Sequence, residues 1–62
     1  MNARRKAIQA LREAGYQLER HGGSHDIYSN FTLGVMIPVR HHFTDQDLKV
    51  ILKEIKQYRR GG

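Results

Sequence analysis

The first stretch of the chain spaces its apolar residues as an amphipathic helix does. Four of them recur at intervals of three and four positions, with charged side chains filling most of the gaps: Ala7, Ile8, Leu11 and Ala14. Gly15 follows directly, at the point where a helix that ends in a left-handed residue usually has glycine. The pattern predicts a helix over residues 2–14 that stops at Gly15.

After Gly15 the spacing changes, because apolar and polar residues begin to alternate as they do in half-buried strands. Gly22-Gly23 and Asn30 are turn signals that divide this region into three strands. The predicted strands cover residues 16–21, 24–29 and 32–39. Pro38 cannot donate a ladder hydrogen bond, so we expect it at the end of the third strand or on an edge of the sheet.

The alternation also assigns the side chains of the first strand to the two faces of the sheet. Those expected on the outer face are Gln17, Glu19 and His21. This assignment holds if Tyr16 and Leu18 point inward to the core.

The second and third strands can be assigned in the same way. His25 shares its face with Ile27, and Asp26 lies on the other face. Ile27 and Tyr28 are neighbours, so they cannot both face the core without a β-bulge. In the third strand, one face is predicted to carry Leu33, Val35 and Ile37.

The last element has the clearest helix signals. Thr44 is a suitable N-cap, and Asp47 stands three residues later, as in a capping box. An apolar stripe follows at helical spacing, formed by Leu48, Ile51, Leu52 and Ile55. The final Gly61-Gly62 are expected to fray.

These elements predict a single α+β domain over residues 1–62, in the order α-β-β-β-α. The short connections favour a three-stranded antiparallel sheet with both helices on one of its faces. The other face is then open to solvent, where alternate strand residues are available to a ligand.

Composition and charge narrow the class of partner. Eleven Lys and Arg against six Asp and Glu give a net charge of +5 on 62 residues, which favours polyanions such as nucleic acid. The chain has no cysteine, so disulfides and thiolate metal sites are excluded. No apolar run is long enough for a membrane span or a signal peptide, so we expect a cytoplasmic protein without a membrane partner.

The most informative segment, residues 15–28, carries a set of residues in a particular order: Gly15-Tyr16, Arg20, Gly23-Ser24-His25 and Tyr28. Ile37-Pro38 and the apolar positions of the last helix follow at matching places. In this order and spacing the chain resembles the HicA family of toxin ribonucleases, also called the YcfA-like family, over residues 5–55.

The resemblance implies a fold similar to the double-stranded-RNA-binding domain, in agreement with the element order above. It also implies a toxin that cleaves mRNA without a metal or other cofactor and is neutralised by a HicB-like antitoxin. His25 matches the family's catalytic histidine. The residues expected to bind RNA are Arg20, Gly23, Ser24, Tyr28 and Arg40.

The chain departs from the family pattern in two places. The family usually has a histidine two residues after the proline, where this chain has Arg40, with His41 and His42 directly after it. The role of a second histidine therefore stays open. Gln46-Asp47 also replace the Gly-Thr that commonly precedes the leucine of the last helix, here Leu48.

A histidine suits RNA cleavage because an imidazole that titrates near neutral pH can take or give the protons that the reaction moves. Without the resemblance, an ordinary exposed strand histidine would be the better interpretation of His25, since a single histidine without a visible partner is poor evidence of catalysis. A metal site that combines it with His41 and His42 is disfavoured, because adjacent histidines do not easily bind one ion and no ligand cluster accompanies them.

Two other functions remain compatible with the sequence. One is a non-catalytic RNA-binding module of the same fold, and the other is an interaction protein whose basic face meets an acidic partner. A nuclease loses its activity when His25 is replaced, whereas the RNA-binding module keeps its own. A nuclease also binds RNA with an affinity that falls steeply with salt, whereas the interaction protein does not.

Overall fold

The computed structural model of the chain describes residues 2–59 and has the predicted order of a helix, three strands and a second helix. The elements are α1 (Ala3–Glu13), β1 (Gln17–His21), β2 (His25–Asn30), β3 (Val35–Arg40) and α2 (Asp45–Tyr58). The strands form one antiparallel sheet in the order β1-β2-β3. The predicted α+β fold class is confirmed, whereas the expectation for Gly61-Gly62 lies outside the described residues.

Both ends of α1 follow from local sequence signals. At its start, the Asn2 side chain accepts a hydrogen bond from the Arg5 backbone N–H at 2.8 Å. At its end, Gly15 has a φ of 96°, and the Tyr16 N–H donates to the Leu11 carbonyl at 2.9 Å, as in a Schellman motif. The predicted stop at Gly15 is confirmed.

The start of α2 is the predicted capping box. The Thr44 hydroxyl accepts from the Asp47 N–H at 3.2 Å, and the Asp47 carboxylate accepts from the Thr44 N–H at 2.9 Å. The bond from the Thr44 N–H is also the main reason why the pKa of Asp47 is lowered. Of the predicted apolar stripe, Ile51 is buried in the core, whereas Leu52 is 45% exposed.

Both helices pack on one face of the sheet, as predicted, and the core lies between the two layers. Its buried apolar residues are Ala7, Leu11, Tyr16, Tyr28, Ile37, Val39 and Ile51. Complete burial of one large aliphatic side chain contributes about 1.5–3 kcal/mol, so this layer is what holds the helices on the sheet. The opposite face of the sheet is open.

β3 begins later than predicted, because residues 31–34 form a turn. The Asn30 carbonyl accepts from the Gly34 N–H at 2.8 Å, and the Asn30 side chain accepts from the Leu33 N–H at 3.0 Å. Leu33 therefore belongs to the turn and not to the strand. Pro38 lies within β3 opposite Ile27, on an edge strand of the sheet as predicted.

A β-bulge in β1 changes which side chains reach each face of the sheet. Leu18 pairs with Tyr28, but the next pair joins Arg20 to Ile27. Glu19 is therefore an extra residue between the two pairs. Every side chain after it points to the face opposite to the one that simple alternation predicts.

The bulge makes one prediction wrong and relocates another residue. Alternation predicts His21 on the open face, but the extra residue places it opposite Asp26, on the face that the helices cover. Arg20 moves to the open face instead. Glu19 stays on the open face as predicted, where its carboxylate accepts a hydrogen bond from the Ser29 hydroxyl.

The two neighbouring apolar residues of β2 face opposite sides, so β2 itself needs no bulge. Tyr28 is buried in the core, and Ile27 is half-buried on the open face. His25 shares this open face, and Asp26 lies on the covered one, both as predicted.

The loop between β1 and β2 requires a glycine at one position because of a close approach. A Cβ atom on Gly22 would lie 2.4 Å from the backbone carbonyl oxygen of His25, whereas one on Gly23 would meet nothing within 4 Å. Neither glycine takes a positive φ, which among the described residues belongs to Gly15 and Gly34. The predicted turn is therefore present, and it needs glycine at position 22 because a side chain there would clash with the His25 backbone.

We expect Gly22→Ala to lower the free energy of unfolding by about 1–3 kcal/mol, because backbone must move to accept the methyl group. Gly23→Ala is the matched control and should leave stability equal or raise it by about 0.4–1 kcal/mol. Urea unfolding of both variants measures the difference. Equal stabilities would contradict the close approach at Gly22.

Candidate functional site

The open face has a depression at the end of the sheet where β1 turns into β2. Its volume is about 360 Å³, and it is lined by Arg20, Gly22, Gly23, Ser24, His25, Ile27 and Pro38. Four of the residues singled out by sequence, Arg20, Gly23, Ser24 and His25, are therefore brought together. The bulge in β1 is what turns Arg20 toward them.

His25 is the first residue of β2, and its imidazole is exposed. Its Nδ1 lies 3.2 Å from the Ser24 hydroxyl oxygen. When that hydroxyl accepts from Nδ1–H, the other ring nitrogen, Nε2, carries a lone pair that can accept a proton. The ring is thus oriented by a neutral neighbour and is open to a ligand.

Arg40 lies directly opposite His25 in the ladder between β2 and β3. Its guanidinium is 3.4 Å from the Asp47 carboxylate at the start of α2. Its backbone carbonyl accepts a hydrogen bond from Arg4 Nε at 3.1 Å. The Arg40 backbone thus lies across β2 from that of Arg20, but Arg40 does not line the depression, and its guanidinium is paired with Asp47.

Tyr28, like Arg40, is a predicted RNA-binding residue that does not line the depression. Only 4% of its surface is exposed, and it packs in the core on the covered face. A ring buried in this way cannot stack on a base, so its place in the predicted site is corrected. The register of β2 decides this, since Tyr28 is three residues from His25 and therefore on the opposite face.

A second cluster of charged side chains lies around Asp26, and the sequence analysis did not identify it. Asp26 is 4% exposed. Arg4 donates to its Oδ2 at 2.6 Å, while His21 Nδ1 and His41 Nε2 lie 2.9 Å and 2.7 Å from its Oδ1. An ionised carboxylate only accepts hydrogen bonds, so both imidazole nitrogens are donors here.

These bonds hold the pKa of Asp26 well below its usual value. The bond from His41 is the largest cause, followed by the bond from His21, and both outweigh the opposing effect of burial. The signal that could have indicated the cluster is Asp26 itself, because a carboxylate at an inward-facing strand position requires buried donors.

Other features of the described residues bear on cofactors and membranes. Among residues 2–59, no group of three or more His, Asp or Glu side chains is placed to hold a metal ion. Neither helix in this range has the length and apolar character needed to cross a membrane.

Comparison with known proteins gives one match. The model of a family described as the HicA toxin of bacterial toxin–antitoxin systems matches residues 4–58. No curated protein and no solved structure matches the chain. The matched range contains the whole sheet, the depression with His25 and the cluster around Asp26.

The lowered pKa of Asp26 predicts how stability depends on pH. Because the folded state favours the carboxylate, Asp26 contributes stability that is complete above the ordinary pKa of an aspartate, about 4, and is lost as the pH falls through that value toward the folded pKa. We expect Asp26→Asn to be less stable than the wild type near pH 7, by an amount that shrinks below about pH 4.

The measurement is the melting temperature of both proteins from pH 7 to pH 2.5, with Asp45→Asn as the control. Asp45 is exposed in the first turn of α2, so its variant should follow the wild-type curve closely. A constant gap between wild type and Asp26→Asn at every pH would contradict the role of the Asp26 charge.

Proposed function

Because the chain belongs to the HicA toxin family, we propose that it is the toxin of a type II toxin–antitoxin system that cuts mRNA as a metal-independent endoribonuclease. The observation that carries the nuclease activity is the exposed His25 ring, held by Ser24 in a depression that Arg20 also lines. Since mRNA is the substrate, the activity belongs in the cytoplasm.

The chemistry that fits this site is cleavage by the RNA's own 2′-hydroxyl. The hydroxyl oxygen attacks the adjacent phosphorus, its proton goes to a base, and the 5′-oxygen leaves. An imidazole is suited to the base role near neutral pH and typically contributes about 10²–10⁴-fold. His25 accepts this proton through Nε2 when its Nδ1–H is held by Ser24.

The surroundings of His25 suit the phosphate backbone of RNA. Arg20 and Arg40 stand on the open face, Arg20 paired with Ile27 and Arg40 with His25. The Arg20 guanidinium supplies positive charge for the phosphate that becomes more negative during the reaction, and the Arg40 guanidinium can do so when it leaves its exposed pairing with Asp47. The space beside Gly23, which has no atom within 4 Å of an added Cβ, lets a backbone approach the loop closely.

Two variants separate catalysis from binding. The wild type should cleave RNA in the presence of EDTA, and His25→Ala should abolish this cleavage. The RNA affinity and melting temperature of His25→Ala should stay close to those of the wild type, because the ring is exposed. Arg20→Ala should weaken RNA binding and reduce its salt dependence, with cleavage preserved at saturating RNA.

The measurements are gel analysis of a defined RNA and its DNA counterpart, and binding titrations at several salt concentrations. The DNA should survive, because it lacks the 2′-hydroxyl. Cleavage by His25→Ala at the wild-type rate would refute the catalytic assignment. RNA that is bound with a clear salt dependence but never cut by the wild type would favour the non-catalytic binding module.

The family also implies an antitoxin partner, and we propose that a HicB-like antitoxin covers the open face of the sheet. This face combines positive charge with an exposed apolar side chain, Met36, which lies opposite Ser29 and is 64% exposed. A partner with acidic and apolar groups that binds here masks His25 and blocks RNA.

Met36→Asp should therefore weaken the complex with the antitoxin at least tenfold, a loss of about 1.4 kcal/mol. Leu52→Asp is the matched control, since Leu52 is an exposed apolar residue of α2, and it should leave the affinity unchanged. Calorimetric titration of both variants with the antitoxin decides the matter. If Leu52→Asp weakens the complex and Met36→Asp does not, the antitoxin binds the helices and not the open face.

A further inference from the structure

Cleavage by the 2′-hydroxyl needs two proton transfers, and His25 performs only one of them at a time. We propose that His41 is the second catalytic group, the general acid that protonates the leaving 5′-oxygen, and that Asp26 is its positioning residue. This inference rests on the proposed ribonuclease function.

His41 and His25 lie close to each other along the chain's hydrogen-bond network. The His41 backbone N–H donates to the Ser24 carbonyl at 2.9 Å, and the Ser24 hydroxyl lies 3.2 Å from His25 Nδ1. One residue therefore contacts both histidines. His41 directly follows Arg40, the residue opposite His25 in the ladder. Both imidazoles therefore reach the same end of the sheet, His25 from the open face and His41 from the covered face, where its side chain is 42% exposed. For both rings to reach it, the cleaved phosphate must lie at this end, between the two faces.

The hydrogen bond of the His41 ring fits the role of the acid. Its Nε2 lies 2.7 Å from Asp26 Oδ1 and is a donor to that carboxylate. The proton that can be given away is then on Nδ1. A carboxylate in this place fixes the tautomer and stabilises the positive imidazolium, which is the form that a general acid must have before it reacts.

The different partners of the two rings suggest the division of roles. His25 is held by a neutral hydroxyl, and His41 by a buried, ionised carboxylate. An ionised carboxylate is a partner for an imidazolium, so the acid role is assigned to His41. A hydroxyl carries no charge to pair with an imidazolium, so the base role is assigned to His25.

His21 is the alternative candidate, because its Nδ1 binds the same Asp26 oxygen at 2.9 Å. Its side chain is 75% exposed, against 42% for His41, so it is less confined. It also lies on β1, whereas His41 follows β3, the strand that carries Arg40. These differences favour His41, and the experiment below distinguishes the two.

The proposed cleavage step moves two protons. The neutral His25 ring takes the proton of the 2′-hydroxyl as its oxygen bonds to phosphorus, and the bond from phosphorus to the 5′-oxygen breaks. The Nδ1–H of the His41 imidazolium gives its proton to that oxygen. The products are a 2′,3′-cyclic phosphate and a 5′-hydroxyl, and exchange with water restores both rings.

A sulfur substitution in the RNA tests for the acid directly. After the cleaved linkage has been mapped with wild-type protein, the same RNA is made with sulfur in place of the leaving 5′-oxygen. A thiolate leaves without being protonated, so removal of the acid matters much less for this substrate. The variants are His41→Gln, Asp26→Asn, His21→Gln and His25→Ala, with the exposed His42→Gln as the control.

We expect His41→Gln to slow cleavage of the all-oxygen RNA by about 10²–10⁴-fold and of the sulfur-containing RNA by less than tenfold. Asp26→Asn should show the same selectivity with a smaller loss, which a purely structural role would not produce. His25→Ala should slow both substrates, and His42→Gln neither. A folding defect in any variant would slow both substrates alike.

Other results would overturn the inference in distinguishable ways. If His41→Gln cuts both RNAs at the wild-type rate, or slows both equally, His41 is not the acid and the proposed function still stands on His25. If His21→Gln alone shows the selective loss, the acid is His21. If wild-type protein cuts neither RNA, the ribonuclease function itself fails, and this inference fails with it.

Discussion

The end of the molecule that carries the candidate site depends on the buried carboxylate of Asp26. A buried charge is tolerated only when donors compensate it, and here they come from α1, β1 and the segment after β3, through Arg4, His21 and His41. Asp26 itself is on the central strand. One charge therefore ties three parts of the chain to the middle of the sheet, and the Arg4 guanidinium also reaches the Arg40 carbonyl.

The bulge at Glu19 connects this cluster to the open face. Without the extra residue, His21 would point away from Asp26 and Arg20 would point toward the helices. With it, His21 reaches the carboxylate and Arg20 lines the depression that contains His25. A single inserted residue thus supplies a donor to the buried charge and a cation to the site, on opposite faces of the same strand.

The sequence predicted best those features that depend on neighbouring residues. The capping box at Thr44 and the helix stop at Gly15 are confirmed because each is made by hydrogen bonds within a few positions of the chain. The bulge was missed because alternation assumes an unbroken pleat, and a bulge is set by pairing with another strand. The place of Tyr28 in the core depends on the same cross-strand register.

The cluster around Asp26 could not be predicted from the sequence for a related reason. His41 follows the end of a strand, where no periodicity assigns a direction to its side chain. Arg4 lies in α1, far from His41 in the sequence. Only the packing of α1 against the sheet brings the two to one carboxylate. The roles of His25, Arg20 and Arg40 in RNA cleavage remain predictions that the fold accommodates.

The cluster also explains how a structural ion network can coexist with proton transfer. The hydrogen bonds from His41 and His21 hold the pKa of Asp26 well below its usual value, so the carboxylate stays ionised throughout the range in which imidazoles titrate. Asp26 can therefore keep its role in the fold while a ring bound to it gains and loses a proton.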